Sequence, residues 1–433
     1  MRRRMAGIML SVMLVGCVIL SGCSNKDQVE AKDNKVTTVE YAFWGNQQEI
    51  NTIMKTIDKF NQSHEDIQVK GVGMDPSVYL QKLSAYASSN TMPDIVQVAL
   101  DYGDVYNQKG IFEPLDERIE KSGIKDKVNE NMWEGYSYDG NIYAIPLQAS
   151  ANMLVGNKNL FAEAGIEFPT ESWTEEEFRD AAIKLTNPEK NQYGIIWGDA
   201  PETWTRALYG NNETEIYDRK NKKMNAVGNE AVAHAIDLMV VDLMQENKAA
   251  PPVLSGKDIG GGFETGKYGM AAIGFWDISS MNKVIQDSFD WDIIPLPTNS
   301  EYGQWKTRIF SNALSISKTS DKKEAAFEYI EWTLENREVQ TQSVSLPVNK
   351  EIAEDQAFLN EFEEGSKKYN KVLAFEALNN GCIWQNTGSI AEINTNVINP
   401  EIEKLILKPE STNLDEILQN IQNNGQKVFD AEK

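Results

Sequence analysis

The stretch Gly261-Gly-Phe-Glu-Thr-Gly-Lys-Tyr268 contains the residue types of a phosphate-binding loop. Glycine, four residues and then Gly-Lys begin a P-loop, but the next residue must be Ser or Thr, because its hydroxyl binds magnesium. Here that residue is Tyr268, and Glu264 would place a negative charge inside the phosphate cradle. A P-loop must also open a helix, whereas the sequence that follows is strand-like. These departures argue against a nucleotide site.

The residues that most often bind metals or carry out catalysis are scarce. The chain of 433 residues has two histidines, His64 and His234, which are too far apart in sequence to suggest a metal site. His234 falls in an apolar helical pattern, which favours packing over catalysis. Of the three cysteines, Cys382 alone lies outside the first 23 residues, so no internal disulfide is expected. We expect neither a metal nor a cofactor.

The N-terminus has the pattern of an export signal. Met1-Arg-Arg-Arg4 is basic, an apolar run extends from Ile8 to Leu20, and Leu20-Ser-Gly-Cys23 resembles the bacterial lipobox. In a lipobox the cysteine becomes the first residue and carries lipid, with palmitate as an added acyl chain. The alternative is an ordinary signal peptide with a chance cysteine. We expect a signal peptide over 1–22, and a lipidated Cys23 with a flexible polar tether over 23–36.

This pattern predicts a protein anchored to the extracytoplasmic face of the cell membrane without spanning it. Loss of residues 1–22 removes Arg2, Arg3 and Arg4 and changes the net charge from −23 to −26. A field of that sign repels phosphate backbones, so nucleic-acid binding is not expected and a polyanionic ligand is disfavoured.

From Thr37 onward the sequence alternates between strand-like and helix-like segments. Strands are predicted at 38–44, 67–72 and 94–98. Apolar residues at helical spacing predict the helices between them, on Ile50, Ile53, Met54, Ile57 and Phe60, and on Val78, Leu80, Leu83 and Tyr86. This repetition implies a parallel sheet with right-handed crossovers. Ligands bind beyond the carboxyl ends of such strands, so 44–49 and 99–104 are candidate rim loops.

A second alternating region follows Pro146, which interrupts an apolar run and marks a candidate crossover. Thr174-Glu-Glu-Glu177 has the form of a capping box and predicts the start of a helix. Residues 229–246 predict a long amphipathic helix, and 269–275 and 291–295 predict short strands. The end of the chain, 354–430, is predicted to be mostly helical.

The segment from Phe263 to Trp276 resembles the pattern Phe-x-x-Gly-Lys-x-Ala-Met-x-x-x-Gly-x-Trp of the extracellular solute-binding proteins of ABC importers, the family of maltose-binding protein. Five further segments resemble motifs of this family in the same order: Met92–Val96, Gly110–Leu115, Asp139–Leu147 with Leu154–Lys158, Ile293–Pro297 and Phe327–Ile330. The resemblance runs from about Thr37 to the C-terminus.

The resemblance implies a two-lobed α/β fold of the periplasmic-binding-protein type, with the ligand cleft between lobes joined by a hinge. Lobe one would comprise 37–147 plus 311–345, and lobe two 150–308 plus 349–433. The protein would be a monomer that closes on its ligand and delivers it to the permease of an ABC importer. No catalysis is implied.

The resemblance also proposes which residues bind ligand. Trp276 is the first candidate, because the family motif places it at the cleft; the alternative is a core tryptophan. Asp277 could bind ligand or cap the next helix. The full set of predicted ligand-binding residues is Trp44, Asn46, Gln47, Asp101, Tyr102, Gln148, Asn152, Trp197, Trp204, Trp276, Asp277 and Trp384. We place Trp197, Trp204 and Trp384 in loops of lobe two, and Trp332 on a helix, where it packs.

Aromatic rings with carboxylates and amides suit a neutral carbohydrate, and an oligosaccharide is the predicted ligand. Maltose-type members carry an Asp-Arg pair where this chain has Asp101 followed by Tyr102, which argues against maltose itself. A non-sugar solute such as a peptide, a polyamine or a metal chelate is the first alternative. A surface glycosidase is the second, and it would need two carboxylates held across a sugar.

Overall fold

The computed structural model of the chain describes residues 36–100, 103–197, 215–218, 221–254, 262–341, 345–362, 368–383 and 388–431.

The described residues form sixteen strands, numbered here in chain order, of which β6 is the longest. They are β1 (Thr37–Trp44), β2 (Ile67–Met74), β3 (Ile95–Ala99), β4 (Ser137–Tyr138), β5 (Asn141–Ile142), β6 (Ile145–Asn157), β7 (Tyr193–Trp197), β8 (Tyr217–Asp218), β9 (Lys223–Met224), β10 (Tyr268–Gly274), β11 (Trp291–Ile294), β12 (Thr298–Asn299), β13 (Gly303–Gln304), β14 (Arg308–Ile316), β15 (Leu346–Pro347) and β16 (Cys382–Ile383).

The helices lie between the strands and dominate the C-terminal part. They are α1 (Gln47–Ser63), α2 (Pro76–Ser89), α3 (Gly103–Gln108), α4 (Asp116–Ser122), α5 (Glu130–Glu134), α6 (Lys158–Glu163), α7 (Glu175–Lys184), α8 (Glu230–Ile236), α9 (Ile278–Ile285), α10 (Lys323–Glu335), α11 (Arg337–Gln340), α12 (Lys350–Ala353), α13 (Gln356–Leu359), α14 (Lys371–Asn380), α15 (Gly388–Ile393), α16 (Asn399–Leu407) and α17 (Leu414–Ala431). Short 3-10 turns cover Ile124–Lys127, Pro188–Lys190, Phe263–Thr265 and Phe275–Asp277, and π-helical turns cover Asp237–Glu246 and Asn394–Ile398.

The main sheet has the strand order β2-β1-β3-β14-β6-β10-β7. β1 is parallel to both β2 and β3, which confirms the parallel arrangement predicted for the first three strands. β14 then runs antiparallel to β3 and β6. β11 and β15 also pair with β6, and β16 pairs with β14.

Strand β6 is shared by two groups of strands. Its first half, from Ile145 to Ala151, pairs with β14, and its second half, from Asn152 to Gly156, pairs with β10. The change of partner lies close to the predicted boundary between the lobes at 147 to 150, although the boundaries themselves stay a prediction. Pro146 does not break the strand; it lies opposite Ala313, where the pairing with β14 shifts register.

Several predicted elements are confirmed. Thr174 and Glu177 form a reciprocal capping box at the start of α7. The helix expected over 229–246 is present as α8 continued by π-helical turns. Trp332 lies on α10, and its ring packs 5.4 Å from the ring of Phe60.

The prediction of which residues of α2 face the core is wrong in part. Val78 and Leu80 are exposed, whereas Tyr79 is 1% exposed. The Tyr79 hydroxyl donates to the carbonyls of Ala42 and Gln97 at 3.2 and 2.7 Å, which turns this side of the helix toward the sheet. Met54 on α1 is likewise exposed rather than packed.

His234 packs on α8 as predicted, and it contacts a buried carboxylate. Glu175 is 7% exposed, and its Oε1 lies 2.6 Å from His234 Nε2. The same carboxylate accepts hydrogen bonds from Asn299 and from the Trp305 indole at 2.8 and 2.7 Å. The Glu175 contact raises the pKa of His234. The network fastens α7 to α8 and to the β12–β13 hairpin.

Within the part of the chain that the structure describes, no helix combines the length and apolarity needed to cross a bilayer. The same residues contain no group of three His, Cys, Asp or Glu side chains placed to hold a metal ion.

Lys371, at the start of α14, is a buried cation. Its Nζ donates to the carbonyl of Phe358 at 3.0 Å and to that of Glu361, and it lies 4.2 and 4.5 Å from the ring centroids of Phe358 and Phe362. Burial lowers the pKa of Lys371 to about 8 from an ordinary 10.5. Two carbonyls and two aromatic rings therefore replace the water that would otherwise solvate the Lys371 ammonium.

This lowered pKa predicts a pH-dependent stability. Between about pH 8 and pH 10 the unfolded chain keeps the Lys371 proton and the folded chain loses it, so the free energy of unfolding rises with pH by about 1–2 kcal/mol. Lys371→Met removes this rise. Urea unfolding of both proteins across that range measures it, with the exposed Lys121→Met as the control. Equal pH slopes for the wild type and Lys371→Met would contradict the prediction.

Candidate functional site

Two adjoining pockets are lined by residues of the main sheet, from β1, β3 and β14 in the first and from β6, β7 and β10 in the second. The first, which we call the Trp44 pocket, has a volume of about 320 Å³ and is lined by Trp44, Pro76, Tyr79, Leu80, Ala99, Leu100 and residues 308–312. The second, the Trp276 pocket, has a volume of about 590 Å³ and is lined by Asn152, Ile196, residues 262–264 and 271–274, Trp276, Asp277, Ser280, Met281 and Val284. These sizes suit a small organic ligand.

Trp44 ends β1 at the carboxyl edge of the parallel strands, as the sequence predicted. Its ring lies 4.9 Å from the ring of Tyr79, which is held in place by its two hydroxyl bonds to the sheet. Trp44 is only half-buried. Tyr79 therefore supports one side of the Trp44 indole, and the indole also lines the pocket.

Trp276 lies on the 3-10 turn that follows β10. It is 38% exposed, while the preceding Phe275 is 2% exposed and packs in the core. The alternative that Trp276 is a core residue is therefore wrong. Its contact with a ligand stays a prediction.

An aromatic wall joins the two pockets. The rings of Trp276 and Phe310 meet edge to face, with centroids 4.5 Å apart. On the Phe310 ring lies the Arg308 guanidinium, 4.0 Å from the centroid. Trp276, Phe310 and Arg308 thus form a continuous surface, the aromatic wall, with one end on β14 and the other beyond β10.

Sequence reasoning missed Phe310 and Arg308. Arg308, Phe310 and Asn312 alternate along β14 with buried Ile309 and Ser311, so they share one face of the strand. This alternation was visible in the sequence. The sequence could not show that β14 pairs with the first half of β6, because that pairing joins segments that are far apart in the chain.

Asn152 and Gln148 lie on β6, beside the aromatic wall. Asn152 is 2% exposed, pairs with Gly274 and lines the Trp276 pocket. Gln148 is half-buried and lies opposite Asn312, which lines the Trp44 pocket. The structure therefore brings these two predicted residues to the same region as Trp44 and Trp276.

Asp277 makes no side-chain cap bond to α9, but it caps the 3-10 turn Phe275–Asp277 that leads into this helix, so the capping alternative is confirmed for that turn alone. Its carboxylate accepts the N–H of Gly274 at 3.2 Å and so closes the turn that presents Trp276, while α9 begins without a side-chain cap from Asp277. The residue lines the Trp276 pocket.

Asn46 and Gln47 belong to the start of α1 rather than to a long loop. Asn46 Oδ1 accepts the Glu49 N–H at 3.0 Å, and Glu49 Oε2 accepts the Asn46 N–H at 2.7 Å, which is a reciprocal helix cap. Gln47 is exposed, and its Nε2 donates to Asn51 Oδ1 at 3.1 Å. Their contact with a ligand stays a prediction.

The placement of Trp197 in a loop is wrong. It is the last residue of β7, is 1% exposed, and packs against the rings of Phe178 and Trp305 at 6.2 and 6.3 Å. The residues before it, Tyr193-Gly-Ile-Ile, form a buried strand parallel to β10, and this pairing draws Trp197 into the core. A ring enclosed in this way offers no face to a ligand.

Four other predicted ligand-binding residues, Asp101, Tyr102, Trp204 and Trp384, lie outside the described residues, as does Cys23.

The family profile described as bacterial extracellular solute-binding protein matches residues 44–340. This chain belongs to that family. An uncharacterized lipoprotein from the oleD 5′ region of Streptomyces antibioticus is 24% identical over 347 residues, which cover 78% of this chain and 74% of the relative. The family confirms the resemblance seen in the sequence motifs.

Two solved structures are similar along almost their whole length. The cyclic α-maltosyl-1,6-maltose binding protein of Arthrobacter globiformis has a TM-score of 0.77 and 22% identity, and covers 91% of this chain and 99% of its own. The Listeria monocytogenes substrate-binding protein in complex with cycloalternan has a TM-score of 0.71 and 24% identity, with the same coverage. At these identities the likeness shows the fold, which is the two-lobed α/β fold that the sequence predicted.

The position of Trp276 depends on Gly274, and this gives a prediction. A Cβ on Gly274 would lie 2.2 Å from the Trp276 ring, while the Gly274 backbone (φ −83°, ψ 150°) is accessible to alanine. Gly274→Ala should therefore displace the indole and leave the fold intact. Near-ultraviolet circular dichroism should change in the tryptophan region, with far-ultraviolet spectra unchanged.

Gly103→Ala is the matched control, because nothing lies within 4 Å of a Cβ at that position. Equal near-ultraviolet spectra for Gly274→Ala and the wild type would show that the Trp276 ring does not depend on Gly274.

Proposed function

We propose that this protein is a receptor that captures a neutral oligosaccharide between its two lobes and delivers it to an ABC importer. The observation that carries the proposal is the aromatic wall of Trp276, Phe310 and Arg308, which connects the two pockets. An extended ligand could lie along this wall and touch both pockets at once.

The chemistry of the pockets favours a sugar. The C–H face of a pyranose ring packs on an aromatic ring, while its hydroxyls bond to amides and carboxylates. The Trp276 pocket supplies Trp276, Asn152 and Asp277 in this combination, and the Trp44 pocket supplies Trp44 and Asn312. The similar proteins from Arthrobacter globiformis and Listeria monocytogenes are described with cyclic oligosaccharides, which supports the same class of ligand here.

Capture requires no covalent chemistry. A ligand that touches both lobes binds the closed arrangement better than the open one and so shifts the population toward closure. The permease would then recognise the closed shape. The proposed lobes are 37–147 plus 311–345 and 150–308 plus 349–433, and the shared strand β6 supports this division because its pairing changes between Ala151 and Asn152.

We propose that the protein is not an enzyme. Glu264 and Asp277 are the two carboxylates of the Trp276 pocket, and each holds a backbone N–H: Glu264 accepts that of Gly262 at 2.8 Å, and Asp277 that of Gly274. Both carboxylates thus shape the pocket. A binding protein returns its glycan uncut, whereas a glycosidase would release products.

A solute with an anionic group is a second candidate, which Arg308 favours. A guanidinium in the wall could hold a phosphate or a carboxylate in two hydrogen bonds. The net charge of −26 that the chain has without residues 1–22 acts against an anion at long range, so the neutral sugar is the stronger proposal.

We further propose that the mature chain is a monomer tethered by lipid on Cys23 to the outer face of the cell membrane. The lipobox-like Leu20-Ser-Gly-Cys23 supports this anchor, and so does the relative named as a lipoprotein.

The ligand proposal is tested by thermal unfolding against a panel of oligosaccharides together with glycerol phosphodiesters. A ligand that binds only the folded state raises its melting temperature, so at least one oligosaccharide should do so. For that sugar, Trp276→Ala should weaken binding more than about tenfold, or about 1.4 kcal/mol, by titration calorimetry.

Leu407→Ala, which truncates an exposed apolar residue on α16, is the control and should bind normally. A panel in which only phosphodiesters stabilise the protein would favour the second candidate. If the affinity of Trp276→Ala for the sugar were unchanged, the aromatic wall would not be part of the binding site.

The anchor is tested by Cys23→Ser. Without the thiol no thioether to lipid can form, so the protein should leave the membrane fraction and lose label from radioactive palmitate. Protein that stays in the membrane fraction without label would contradict the lipid anchor.

A further inference from the structure

Gln340, the last residue of α11, is a fully buried amide with every hydrogen-bonding group engaged. Its exposure is 0%. The Nε2 group donates to the carbonyls of Leu147 and Thr333 at 3.0 and 3.2 Å. Its Oε1 accepts the N–H groups of Val348 and Asn349 at 3.1 and 3.4 Å. One side chain therefore bonds to backbone in three separate segments.

The first of these segments is the irregular point of β6. The pairing of β6 with β14 shifts register between Asn312 and Ala313, and this shift leaves Leu147 as an extra residue on β6. A bulged residue has a backbone group without a partner in the ladder. The carbonyl of Leu147 finds its partner in Gln340.

The second segment is the strand that returns beside β6. β15 pairs with β6 through Leu346 and Pro347, opposite Ala149 and Gln148, directly after the bulge. The next two residues, Val348 and Asn349, donate to Gln340.

The third segment is α10, whose Thr333 carbonyl accepts from Gln340. Asn349 adds a second tie to this helix, because its Nδ2 donates to the Leu334 carbonyl at 3.2 Å. Gln340 and Asn349 thus connect β6 at Leu147 with the segment that follows β15, and they connect both with α10. The first two of these segments lie at the proposed boundary between the lobes.

We infer that Gln340 is a positioning residue that sets the angle between the lobes by locking the two crossing segments together. The inference rests on the lobe boundaries of the proposed function. A buried amide bonded on all sides has one orientation, and the segments it holds cannot slide independently. Without it, the crossing segments gain alternative arrangements and the free protein samples a wider range of lobe angles.

The test measures the distance between the lobes without any sugar. Spin labels are placed at Lys121→Cys on α4 and Lys184→Cys on α7, two exposed helical positions, in a chain whose own cysteines are replaced by serine. Electron–electron double resonance then gives the distribution of distances. Gln340→Met keeps the side-chain length and removes all four bonds, and we expect the distribution to widen about twofold.

Thr186→Val is the matched control, because Thr186 also ties separate segments, donating to the Ala182 carbonyl at 2.8 Å and accepting the Gly194 N–H at 3.0 Å, but inside lobe two alone. It should lower the melting temperature without widening the distribution. A width for Gln340→Met equal to that of Thr186→Val would show that Gln340 contributes stability only and would overturn the inference.

Gln340→Glu provides a second variant in case Gln340→Met does not fold. Burial raises the pKa of a carboxyl, so this side chain is neutral at mildly acidic pH. Its single O–H can then donate to one of the two carbonyls and its other oxygen can accept the two N–H groups, which restores three of the four bonds. The distribution of distances between the spin labels should be narrow at mildly acidic pH and broad at alkaline pH. An equal width at the two pH values would also overturn the inference. These widths do not depend on the ligand, so failure of the sugar panel would count against the proposed function alone.

Discussion

Strand β6 is the constraint on which the rest of the structure depends. Every backbone N–H and C=O inside a sheet needs a partner, and β6 finds its partners in β14 along one half and in β10 along the other. The two groups of strands cannot separate without breaking a ladder. The change of partner lies between Ala151 and Asn152, so the two ladders meet at one point of β6.

The candidate site follows from this arrangement. Side chains that project from β6, β14 and the end of β10 at the change of partner must lie close together, whichever lobe they belong to. Trp276 and Phe310 meet there, although one follows β10 and the other lies on β14. Under the proposed division into lobes, the width of this candidate site would depend on the angle between them. Gln340 contacts β6 near this region, because its Nε2 donates to the carbonyl of the bulged residue Leu147.

The sequence predicted correctly those features that depend on residues close together in the chain. The capping box at Thr174 and the strand leading to Trp44 depend on neighbours a few residues away, and both are present. The ordered family motifs placed Trp276 outside the core. Trp197 was misplaced because its surroundings are set by Trp305, which is distant in the chain. The roles of Phe310 and Gln340 likewise depend on pairings between segments that are far apart, and a single sequence does not reveal them.

The central claim is that two lobes joined through β6 close on a ligand that touches both. Small-angle X-ray scattering of the mature chain, with and without an oligosaccharide that raises its melting temperature, tests this claim most directly. Closure should reduce the radius of gyration, because the ligand binds the closed arrangement more tightly than the open one. An unchanged scattering profile with the site fully occupied would contradict the account, since it would mean that binding involves one lobe alone or that the lobes are rigid.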